Sequence, residues 1–109
     1  MRSSSCWILV AAAAAGCSGG GEPETPAERG ARVYGNVCTV CHNADPSQEG
    51  TLGPAIAGSS RELLEARVLR GEYPPGYTPK RPTALMPPLP YLEASIPDLV
   101  AFLSDATGS

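Results

Sequence analysis

Apolar residues in this chain come first as one unbroken block and then as spaced stripes. The block runs from Cys6 to Ala15, about half of the ~20 residues a membrane-crossing helix needs. Residues 17–26, Cys17 followed by SGGGEPETP, carry no large apolar side chain and read as a flexible linker. Thr25-Pro26-Ala27-Glu28 then has the form of a capping box, with Thr at the cap, Pro at the first helical position and Glu at the third. A helix is predicted from there, with Ala27, Ala31, Tyr34 and Cys38 on one face. Ser59-Ser60-Arg61-Glu62 repeats the capping pattern and predicts a second helix through ELLEARVLR, ending at Gly71 in a left-handed C′ position. A third is announced by Ser95-Ile96-Pro97-Asp98, and Ile96, Leu99, Val100 and Leu103 are spaced for its buried stripe. No stretch alternates like a strand, so the expected class is all-α. Between Gly71 and Ile96 lie seven of the twelve prolines, and that segment is expected to be an irregular loop.

Length changes the picture by limiting the core. A chain of 109 residues has room for one small domain, and domains of this size often rely on a metal, disulfides or a cofactor. Part of the length is expected to be a leader. MRSSSCWILVAAAAAGC has a basic start, a short apolar run and a small-residue exit, the layout of a secretory signal peptide over residues 1–16. Ala14-Ala15-Gly16-Cys17 resembles a bacterial lipobox, with Ala14 where leucine is usual, and implies acylation of Cys17. Ordinary cleavage after Ala13-Ala14-Ala15 is the alternative. The expected location is therefore outside the cytoplasmic membrane, on a periplasmic or cell-surface face, with a lipid anchor. The folded domain is expected over residues 27–109. From Ala27 onward there are seven basic and nine acidic residues without long runs of one sign, which argues against a nucleic-acid partner.

Without the leader and Cys17, only Cys38 and Cys41 remain, and His42, the sole histidine, directly follows them. Three chemistries use such a motif. A structural zinc site wants four ligands, normally two separated pairs, and only one pair is present. A redox dithiol uses C-x-x-C but expects a βαβ setting. C-x-x-C-H is the attachment sequence of haem c, and this reading uses all three residues. Thiols spaced this way on a helical turn can reach the two vinyl groups on one porphyrin edge, with His42 beneath the iron as proximal ligand. The haem would also add apolar area that eighty or so residues can hardly supply.

Several further residues make the chain, from about Ala27 to Ala106, resemble the class I cytochrome c family. They are Gly30-Ala31-Arg32-Val33-Tyr34, Cys38-Thr39-Val40-Cys41-His42, Leu52-Gly53-Pro54, Met86-Pro87-Pro88 and Leu99-Val100-Ala101-Phe102-Leu103. The resemblance implies three to four helices around one covalent haem, with a proline-rich loop carrying the distal ligand. It implies that the first and last helices cross at Gly30 and Tyr34 against Leu99, Phe102 and Leu103. It also implies that the Pro54 carbonyl accepts the other N–H of the His42 ring, which would orient it and raise its basicity.

The sixth iron position has few candidates. Met86 is the only methionine beyond the leader, it lies among Pro82, Pro87, Pro88 and Pro90, and the family pattern places its ligand at this Met-Pro turn. His/Met ligation would raise the potential relative to two imidazoles and close the iron to outside ligands. Tyr73, Tyr77, Lys80 and Arg81 are candidate propionate partners. The functional expectation is a non-enzymatic carrier of single electrons between respiratory or dehydrogenase proteins, with no small-molecule substrate. The alternative is a haem c enzyme or gas sensor whose sixth position opens.

Overall fold

Three α-helices and two 3-10 turns follow one another in the computed structural model, which describes residues 22–82 and 85–107. Helix α1 is Pro26–Val37, α2 is Arg61–Leu64 and α3 is Ile96–Asp105. No strand occurs among the described residues, and the arrangement is all-α as expected. The leader, Cys17 and the linker up to Gly21 lie outside the described residues.

Helix α1 starts as the pattern predicts. The Glu28 N–H donates to Thr25 Oγ1 at 3.1 Å, and the Thr25 N–H donates to Glu28 Oε1 at 3.1 Å. These bonds hold the Glu28 carboxyl below its usual pKa. The buried face is rotated from the predicted one: Gly30 and Tyr34 are buried, whereas Ala27 and Ala31 are half-buried at its margin. The cause is α3, which crosses at Gly30 so closely that a Cβ there would overlap the Asp98 carbonyl. Beside this crossing the Tyr34 and Phe102 rings meet at 5.2 Å between centroids, tilted by 45°. Arg29 and Asp98 add an ion pair at 3.2 Å across the same crossing. Leu99 and Leu103 are buried with Tyr34 in one cluster, as the family resemblance implies.

The second helix departs from its sequence reading twice. Its cap is Ser60 and not Ser59, with the Leu63 N–H donating to Ser60 Oγ at 3.1 Å. Ser59 instead donates its hydroxyl to the Ile56 carbonyl. The shift moves Glu62 out of the third helical position, so no reciprocal box forms. After α2 the chain widens into a π-helical segment, Glu65–Arg70, which ends at Gly71 with φ +68°, the left-handed position predicted. Ala66 and Val68 of this segment are buried.

Ser95 makes no side-chain cap. It needs none, because the chain arrives already helical: Pro90–Ser95 is a 3-10 turn that leads into α3. The proline-rich segment is therefore less irregular at its end than its composition suggests. Ile96, Leu99 and Leu103 form the predicted stripe of α3, with Val100 half-buried beside it.

Candidate functional site

Leu64, Val68, Leu99 and Leu103 form the apolar back of a cavity of about 450 Å³, within the usual range of small-molecule and cofactor sites. Its two sides come from distant parts of the chain. On one, α1 runs into a 3-10 turn, Cys38–Val40, so that Cys38 and Cys41 stand one turn apart. The His42 N–H closes this turn on the Cys38 carbonyl at 2.9 Å. On the other, Met86, Pro87 and Leu89 reach in from the proline-rich loop. The Leu89 N–H donates to the Val68 carbonyl, which fastens the chain just after Met86 to the π-helical segment. Cys38, Cys41, His42, Pro54 and Met86 thus share one cavity.

His42 is fixed from behind. Its Nδ1 lies 2.9 Å from the Pro54 carbonyl oxygen. A proton on Nδ1 satisfies that contact and leaves Nε2 as the lone-pair nitrogen. The Gly53 backbone lies against the ring: a Cβ there would stand 2.5 Å from His42 Cε1. Gly50 is equally confined, since a Cβ would stand 2.7 Å from the Cys41 carbonyl oxygen. The loop closes through backbone bonds of 2.9 Å, Gly53 N–H to Cys41 and Gly50 N–H to Gly53. Just beyond His42, the Asn43 carbonyl accepts the Tyr34 hydroxyl. Burial pushes the Tyr34 phenol up to about 12, helped by nearby Cys38 and Asp45.

Burial also raises the Cys38 thiol to about 11. Redox dithiols work through a thiol of lowered pKa, and Cys38 is shifted the opposite way.

The four proposed propionate partners all line the cavity, and they already have company. Tyr73 and Tyr77 stack at 5.6 Å, with the Arg67 guanidinium 4.2 Å over Tyr73. Lys80 Nζ donates to the Ala55 carbonyl at 2.7 Å. Arg81 donates to the carbonyls of Thr51, Gly50 and Gly53 and to the Glu49 carboxylate. Sequence reasoning missed Gly50 and this use of Arg81. For Gly53 the motif Leu52-Gly53-Pro54 carried a signal; for Gly50 nothing did, because its neighbours are found only in the folded chain.

Compared with known protein families, the chain matches the one described as Cytochrome c over residues 27–107. It belongs to the cytochrome c family. Neither curated proteins nor solved structures returned a match. As a cytochrome c, the protein has covalent haem c with its iron as cofactor, an electron-carrying role and redox proteins as partners. The cavity suits that group: it is apolar, two thiols one turn apart line it, and an imidazole with its Nδ1 engaged stands beside them.

Proposed function

We propose that this cytochrome c is an exported monohaem carrier that holds its iron between His42 and Met86. The observation that carries the reading is the pairing of an oriented imidazole and a half-buried thioether on one apolar cavity. Haem c supplies a one-electron iron couple when bound. Cys38 and Cys41 would hold it as thioethers, and His42 would present Nε2 to it while Pro54 keeps Nδ1 occupied. Met86 would hold the iron from a loop stiffened by prolines, which limits how far its thioether moves. With His42 and Met86 both committed to it, the chain would leave the iron no opening for a substrate, and the chemistry supplied would be exchange of single electrons with outer partners.

The leader supports export and Cys17 supports acylation, followed by a linker up to the Thr25 cap of α1 that lets the domain turn beside the membrane. At ~3.3–3.6 Å per residue, the eight residues 17–24 reach at most about 29 Å.

Expression with a c-type maturation system tests the core of the proposal. Covalently retained haem with a ferric thioether–iron band is expected, and Met86→Ala abolishes the band and lowers the potential. An unchanged band in that variant, or rapid carbon monoxide binding by the unmodified ferrous protein, would overturn the His42/Met86 assignment. Cys17→Ala is expected to release the protein from membranes, and unaltered membrane association rejects the anchor.

A further inference from the structure

Lys80 and Arg81 grip the carbonyls on either side of Pro54. Arg81 Nη2 donates to Gly53 at 3.2 Å and to Gly50 at 2.8 Å, and its Nη1 donates to Thr51 at 3.2 Å. Lys80 Nζ reaches Ala55 at 2.7 Å. The Arg81 guanidinium also bonds Glu49 Oε2 at 2.7 Å, and this contact is first among the causes that lower the Glu49 pKa. Gly50 and Gly53 have no side chains to hold the loop, so its carbonyls are fixed by what donates to them. The Arg81 guanidinium, with five donors in one planar fork, holds three carbonyls and the Glu49 carboxylate at once, one acceptor more than the three donors of an ammonium can serve.

We propose that Arg81 is a positioning residue for the iron's proximal side: by fixing the Gly50–Gly53 backbone it keeps the Pro54 carbonyl on His42 Nδ1. The proposal rests on His42 being an axial ligand. A carbonyl on Nδ1–H makes the imidazole a stronger donor and favours ferric iron. Arg81 therefore lowers the potential through His42. A guanidinium acting only by its charge, or by pairing a propionate, does the reverse, because nearby positive charge favours the ferrous state. The two roles predict opposite signs.

The test uses the full chain matured with haem, comparing wild type, Arg81→Lys and Arg81→Gln. Two readings are taken: the reduction potential, and the exchange rate of the His42 ring N–H by NMR. With the positioning role, Arg81→Lys keeps the charge yet shifts the reduction equilibrium towards ferrous iron by a factor on the order of ten, the low end of what loss of an outer partner costs in metal affinity or activity. For one electron that is about 59 mV. Ring N–H exchange accelerates in the same variant. A potential that falls in Arg81→Gln with unchanged ring exchange overturns the proposal in favour of a charge or propionate role. Unchanged readings in both variants also overturn it. If Arg81→Gln does not accumulate, Arg81→Lys decides by the same readings. Failure of the underlying ligation reading is distinct, because it shows in wild type as a missing low-spin His/Met spectrum.

Discussion

Gly53 is confined by a ring and not by its dihedral angles. Its φ is not in the left-handed region, yet a methyl group there would meet His42 at 2.5 Å. Gly53→Ala must push the imidazole away or move the loop that carries Pro54. Overpacking of this kind costs about 1–3 kcal/mol, and a lower Tm of the haem-loaded protein, together with an altered potential, is expected. Tyr34 gives a prediction of a different kind. Its phenol is raised from about 10 to about 12, so the folded state holds its proton more tightly than the unfolded chain. That stability is fully present below pH 10 and is lost as pH rises from about 10 to about 12. Denaturant titrations across that window are expected to show falling stability, with a shallower fall in Tyr34→Phe. The Cys38 thiol, raised in the same direction, does not contribute once it is a thioether.

Among the elements, what was legible in the sequence was whatever depends on neighbours along the chain. The Thr25–Glu28 box, the left-handed Gly71 and the Ile96, Leu99, Leu103 stripe are local patterns, and each helix formed where its signals stood. What depended on partners from elsewhere was legible only through the family resemblance, as at the Gly30 crossing and the Pro54 carbonyl on His42, or not at all. The α1 face turned towards Gly30 because α3 comes so near, Ser60 replaced Ser59 as cap because Ser59 bonds Ile56, and Arg81 bonds a loop some thirty residues earlier. The crossing can be tested directly. Gly30→Ala forces the two helices apart at the Asp98 carbonyl, and a loss of more than about 3 kcal/mol is expected, since rigid backbone stands in the way and not a yielding side chain. Thr25→Ala, which touches no other element, should cost only ~1 kcal/mol by chemical denaturation. Comparable losses from the two would mean that α1 is held by its own turn more than by α3.

At the scale of the whole molecule, five of the eight buried hydrophobic side chains among the described residues also form a wall of the cavity. Tyr34, Leu64, Val68, Leu99 and Leu103 belong to the core cluster and also line the space. A cleft of about 450 Å³ with such walls leaves apolar core side chains facing water unless a group fills it. The haem therefore completes the core to which Leu99 belongs. Cys38→Ser/Cys41→Ser, which removes the proposed covalent attachment, is expected to give a chain with helical far-UV dichroism but little near-UV signal around Tyr34 and weak urea cooperativity. Non-covalent haem added to this variant should restore part of the cooperativity through His42 and Met86. A variant that unfolds cooperatively at the wild-type midpoint without any haem would show that the helices collapse onto a core of their own, and that the cavity is not what sets the stability of the fold.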